Sequence, residues 1–145
     1  MRGFTVSVLL LLTAGVVSAD LDEARAEPNL EKRSKLALDN AVAALKEARE
    51  AYNAGDMDKL TAKVIEIQDS AALCFTSLVQ TGKDPRKSPR WFKRAEIQSR
   101  DLLRSIETLQ HDMSYLDRAV LDKVKEKVQQ VHDDLLTGLM EGKRK

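Results

Sequence analysis

A single cysteine, Cys74, rules out an intrachain disulfide, so whatever holds this chain together must come from packing. Its position on an apolar helical row reads as a small buried hydrophobe; a reactive thiol or a bridge to another chain are the other readings. Six glycines leave little material for a phosphate cradle, and Gly82-Lys83 has no Walker loop around it. Neither sign of charge is in excess, with 24 Lys and Arg against 23 Asp and Glu, which argues against a globally basic nucleic-acid binder and against a polyacidic tail protein. No segment alternates apolar and polar residues with the period of a half-buried strand, so no sheet is expected.

Motifs of chemistry are missing as well. The chain contains no Gly-x-Ser-x-Gly, no His-Glu-x-x-His, no Cys-x-x-Cys-His and no calcium loop around Asp56 and Asp58. Di-iron bundles use Glu-x-x-His, but Thr108 and Gln129 stand three residues before His111 and His132. In a hairpin those two histidines would lie about 27 Å apart, too far to share a metal, and both read as surface or boundary residues. The adjacent carboxylates Asp133 and Asp134 diverge by about 100° on a helix and read as a solvated face. No catalytic, metal-binding or cofactor-binding residue is therefore assigned, and the expectation is a protein that is not an enzyme.

What is present begins with residues 1–19. Arg2 precedes an apolar run from Phe4 to Val17 that is too short to span a bilayer. Small residues follow at Val17 and Ala19, and then the acidic Asp20-Leu21-Asp22-Glu23. This is the pattern of a cleavable signal peptide, with Ala24-Arg25-Ala26 as a second small-x-small site and an uncleaved anchor as the alternative. The expected location is periplasmic or secreted, in a bacterial envelope. Removing those 19 residues leaves 126, with 23 cationic side chains balancing 23 acidic ones, a length that suits one domain.

Residues 20–28 are acidic with few apolar side chains and read as a flexible leader. Residues 29–142 read as one helical domain with helices at about 30–54, 57–80, 89–112 and 115–140. The first is capped by Asn29 and stopped by Gly55, with Leu38, Ala41, Leu45, Ala48 and Tyr52 in three-four steps beside Ala37, Ala44 and Ala51. The second starts at Asp56 and carries Met57, Leu60, Val64, Ile67, Ala71, Cys74 and Leu78. A second flank of Ile65, Ala72, Phe75 and Val79 marks it as the centre of the core. Ser88 as cap and Pro89 in the first turn open the third, whose row is Phe92, Ala95, Ser99, Leu102, Ile106, Leu109 and Met113. Ser114 and Asp117 are expected to start the fourth, whose row runs Leu116, Val120, Val124, Val128, Val131, Leu135 and Leu139.

Helices of matched length and short loops predict an all-α, antiparallel four-helix bundle made of two helical hairpins; two hairpins stacked as in a solenoid are the alternative. The turn Ala51-Tyr52-Asn53-Ala54-Gly55-Asp56 resembles that of a tetratricopeptide-repeat hairpin in its Tyr and Gly-Asp. Leu60 stands where that family has alanine, no Trp or Leu-Gly signature lies upstream, and no copy recurs at 34 residues. More broadly the chain resembles small uncharacterised exported helical proteins of bacteria, which implies compartment and fold but no activity. The bundle is expected to close either alone or as a homodimer.

One constellation stands apart. Lys83, Arg86, Lys87, Arg90, Lys93 and Arg94 fall within twelve positions, with the only tryptophan, Trp91, among them. Cations in the first turns of a helix oppose its dipole at about 0.3–1 kcal/mol each, a cost that an anionic partner would offset. These seven residues are the candidate partner-binding site of a non-enzymatic exported binding or adaptor module that takes a protein or an anionic envelope component, not nucleic acid. The competing reading is a solvated charge run in which Arg90 and Arg94 reach neighbouring acids while Trp91 and Phe92 cap the core. A small-molecule carrier with a cavity near Phe75, Leu102 and Ile106, and an envelope chaperone, are the other functions considered.

Overall fold

The computed structural model describes residues 19–143; of the candidate signal segment only Ala19 lies within that range. Five α-helices follow one another: α1 (Ala19–Ala26), α2 (Leu30–Asn53), α3 (Met57–Gln80), α4 (Pro89–Asp112) and α5 (Asp122–Glu141), with a 3₁₀ turn at Arg118–Leu121 before the last. No strand occurs among the described residues, and no described helix is long and apolar enough to cross a membrane.

Local chemistry sets the ends of α2 and α3. The Asn29 side chain accepts from the Lys32 backbone N–H at 2.9 Å and that of Asp56 from Lys59 at 3.0 Å, each satisfying a donor the helix cannot. Between them Gly55 adopts φ +73°, which lets the chain reverse within three residues. Pro89 opens α4 as expected, but Ser88 makes no side-chain cap bond; the turn before it is instead closed by the Lys87 and Ser88 N–H groups on the Asp84 carbonyl.

The five alanines Ala37, Ala41, Ala44, Ala48 and Ala51 are buried and let α3 come close. Inside this seam Asn40 donates to Ser70 Oγ at 2.9 Å and to Glu66 at 3.1 Å, and Lys63 bridges Glu47 at 2.5 Å and Glu66 at 2.9 Å. A buried amide needs such partners, and they pair residue 40 with 66 and 70 in an antiparallel register.

The second hairpin, α4 with α5, is registered by Glu96 with His132, Glu107 with Lys125 and Gln110 with Asp122. The two hairpins meet like helix to like helix. Gln98 of α4 reaches Asp39 of α2 and Asp112 reaches Arg49, both at 2.9 Å, so α2 and α4 run the same way. Along the other side α5 lies against α3 in the same sense. The fold is thus a helical bundle of two antiparallel hairpins, meeting in the manner of the stacked alternative.

Three expectations change. Residues 20–28 do not form a flexible leader: α1 packs on α2 with Leu21 and Ala24 buried, a short helix held by tertiary contact. The last helix does not begin at 115. Ser114, Tyr115, Leu116 and Asp117 form a turn tied down by Tyr52, whose hydroxyl accepts from the Ser114 N–H at 2.9 Å and donates to Asp117 at 3.2 Å. Leu116, expected in the apolar row, is 89% exposed, and Leu121 fills the core instead. Finally, α3 is not covered over its whole second flank, since Ile65 and Val79 are more than half exposed.

The Lys63 bridge has a pH signature. Burial alone would lower the pKa of this ammonium, but hydrogen bonds to Glu47 and Glu66, and their charges, outweigh it and raise it. A folded pKa above the unfolded one gives stability that is complete below the unfolded value of about 10.4 and lost as pH rises through the folded value. Lys63→Met is expected to cost about 1–2 kcal/mol at neutral pH. The gap in melting temperature from the parent should shrink as pH is raised past 10.4 or so; a gap independent of pH would assign the cost to packing.

Candidate functional site

The segment between α3 and α4 is shaped by the aspartate and proline within it. Asp84 accepts the Arg86 N–H on its side chain and the Lys87 and Ser88 N–H groups on its carbonyl, which folds residues 84–88 into a compact turn. The turn presses buried Pro85 onto Gly138 of α5, where a Cβ would stand 3.2 Å from the proline ring. A glycine inside a helix is costly; here it makes room for the loop.

Pro85 thereby separates two openings, each of about 390 Å³. The first lies between α3 and α5 and has an apolar floor of Phe75, Phe92 and Leu135, with Val79, Lys83 and Lys143 around it. The second lies between α4 and α5 and is bordered by Arg86, Lys93, Leu136 and Leu139. Glu96 also borders it, but His132 Nε2 lies 3.0 Å from that carboxylate and Arg100 3.6 Å, so its charge is engaged from the side.

All seven sequence-predicted residues gather at this end of the bundle, in different states. Lys83 is ion-paired with Glu31 of α2. Trp91 is half-buried against the core, and the Arg90 and Arg94 guanidinium groups stand 5.4 and 6.0 Å from its ring centroid, within range of a cation–π contact. Arg94 also faces Asp39. Burial would raise that carboxyl, but hydrogen bonds from Lys35 and Gln98, with the charges of Lys35 and Arg94, hold it below the usual range. Arg86, Lys87, Arg90 and Lys93 form no ion pair with any acid among the described residues. The solvated-run reading has Lys83 and in part Arg94 facing acids, as well as Phe92 buried and Trp91 half-buried on the core; Arg86, Lys87, Arg90 and Lys93 are exposed with no acidic partner among the described residues.

Sequence reasoning missed the share of α5 in this site. Lys143 donates to the Gly82 carbonyl at 3.1 Å and brings the end of the chain to the loop; Leu136, Leu139 and Met140 flank it. The signal that could have found this is Gly138, the one glycine inside a long helix among the described residues. The cavity expected near Phe75, Leu102 and Ile106 is not formed by those three: Phe75 borders the first opening, but Leu102 and Ile106 lie in the packed core. His132 sits beside Glu96 while His111 is exposed on the last turn of α4, and no group of three or more His, Cys, Asp or Glu among the described residues could hold a metal. Compared with known proteins, the chain matches no family model and no curated sequence.

Proposed function

We propose that this protein is a non-enzymatic binding module of the cell envelope that takes an anionic partner at the end of the bundle formed by residues 83–94 and the C-terminal turns of α5. The observation that carries the reading is the set of four cations, Arg86, Lys87, Arg90 and Lys93, that have no acidic partner among the described residues; Arg86 and Lys93 border the opening between α4 and α5. Isolated surface cations are common and contribute little to folding, whereas several of one sign on one face focus the field felt by an anion. Export is proposed from residues 1–19 alone, on the charged head, apolar run and small residues before Asp20.

Binding to immobilised heparin, a polyanion without specific shape, tests the reading. The parent chain is expected to be retained at low salt and released as salt rises. Combined replacement of Arg86, Lys87, Arg90 and Lys93 by glutamine is expected to weaken retention by at least about tenfold with the helical content intact. Equal retention of parent and variant would sink the proposal.

A further inference from the structure

We propose, building on the anion-binding reading, that the anionic partner is a lipid bilayer surface and that the molecule stands on it by its basic end. The cations at this end do not stand on a purely polar surface. Val79 is 57% exposed, Met140 70% and Leu136 39%, and all three lie on the last turns of α3 and α5. Single exposed apolar side chains are ordinary on a protein surface, and Tyr115 and Leu116 at the other end are more exposed still; what sets this end apart is that Val79 and Leu136 border openings that cations border too.

Pro85 joins these features into one surface. It borders the first opening together with Val79, Lys83 and Lys143, and the second together with Arg86, Lys93 and Leu136. Arg90 and Trp91 continue it past Pro89. Three acids, Asp134, Glu96 and Glu31, line these openings beside five cations, Lys83, Lys143, Arg86, Lys93 and Arg90, and of the acids Glu31 is paired with Lys83.

An acidic protein would match such a surface only with a shape complementary to two grooves and three scattered apolar side chains. A bilayer needs no such match. Its phosphates accept Lys and Arg at headgroup level while the apolar side chains reach the acyl boundary beneath, and long cationic side chains can lie along that boundary with their heads in water. The indole of Trp91, with guanidinium groups over it, suits the same layer. At about 1.5 Å per residue, the 24 residues of α4 hold the Tyr115–Leu116 turn about 36 Å from the lipid.

The only tryptophan is a native reporter of this geometry. Vesicles of equal parts phosphatidylglycerol and phosphatidylcholine, with a nitroxide on a fraction of the headgroups, are expected to quench Trp91; pure phosphatidylcholine vesicles are not. A Trp91→Phe, Tyr115→Trp chain places the reporter at the far end and is expected to bind without quenching. Replacing Arg86, Lys87, Arg90 and Lys93 by glutamine should reduce partition by about fivefold per charge, roughly 10²–10³-fold together. Val79→Ser, Leu136→Ser and Met140→Ser combined, all at exposed positions, should lose about tenfold on vesicles while keeping heparin retention.

Retention on heparin without binding to anionic vesicles overturns the bilayer and leaves the anion-binding reading standing. Failure on both overturns both. Equal quenching from position 115 overturns the orientation, and an unaltered vesicle affinity in the triple serine variant shows that the apolar side chains take no part and overturns the docking surface drawn here.

Discussion

Ile67→Ala is expected to lower the unfolding free energy by about 3–4 kcal/mol, while Ile65→Ala, two residues away on the same helix, changes it by less than about 0.5 kcal/mol. The two isoleucines have the same chemistry and nearly the same place in the chain, but Ile67 is completely buried and Ile65 is 52% exposed. α3 is the helix packed against both α2 of its own hairpin and α5 of the other. Ile67 is part of the core cluster that α2, α3, α4 and α5 share, so removing its carbons leaves a space that neighbours fixed by their own helices cannot all relax into. Ile67→Val should cost only about 1 kcal/mol, since most of the volume remains. Domains of this size are held by about 5–15 kcal/mol, so the alanine variant should lose roughly 10–20 °C in melting temperature. Urea titration should show a lower midpoint with an unchanged slope. Equal losses at Ile65 and Ile67 would mean that α3 does not present the face described.

The contrast between these neighbours marks what a sequence of this kind discloses. Three of the four expected helices, α2, α3 and α4, could be bounded to within a residue, because their ends are decided by Asn29, Gly55, Asp56 and Pro89, residues that act on groups one to four positions away. The start of the last helix could not. Ser114 and Asp117 are good capping residues, but the Ser114 hydroxyl donates to Asp117 at 2.7 Å, and Tyr52, 62 and 65 positions earlier in the chain, accepts the Ser114 backbone N–H and donates to the same carboxylate. No window around Ser114 contains that information. The helix at Ala19–Ala26 escaped for a related reason: eight residues cannot hold a helix by propensity, and Leu21 and Ala24 are buried only because the α2–α3 hairpin is there to receive them.

The same division runs through the candidate site. Six cations around one tryptophan are visible as a local cluster, and the chain does bring them to one end of the bundle. Which of them are spoken for is a long-range matter: Lys83 meets Glu31, 52 positions earlier at the start of α2, while Arg86 and Lys93 border an opening beside α5. Apolar rows on four helices also say nothing about which faces meet across hairpins. Glutamine and carboxylate contacts, such as Gln98 with Asp39, carry that decision, and such polar pairs have no recognisable spacing.

Cys74 should react with a disulfide reagent at pH 8 at least about 10³-fold more slowly in the native chain than in denaturant. The thiol is completely buried on the inner row of α3, and burial pushes its pKa up to about 12. At pH 8 only about one part in 10⁴ would be thiolate, against roughly a quarter for a free cysteine, and the thiolate is the nucleophile. Ionisation alone thus slows the reaction about 10³-fold, and exclusion of the reagent from the core slows it further. Reaction must then wait for an opening of the structure. Because Cys74 is completely buried on the helix that packs on α2 of its own hairpin and on α5 of the other, that opening should be the global one, so labelling rates in increasing urea should follow the unfolding free energy measured spectroscopically. Ile67→Ala should speed labelling by its full effect on stability, about 10²–10³-fold for 3–4 kcal/mol, whereas Ile65→Ala should leave the rate nearly unchanged. Fast labelling of the native parent, or rates that ignore the Ile67 substitution, would show that the cysteine is reached through a local motion at the end of α3, the reading under which it serves as a reactive thiol.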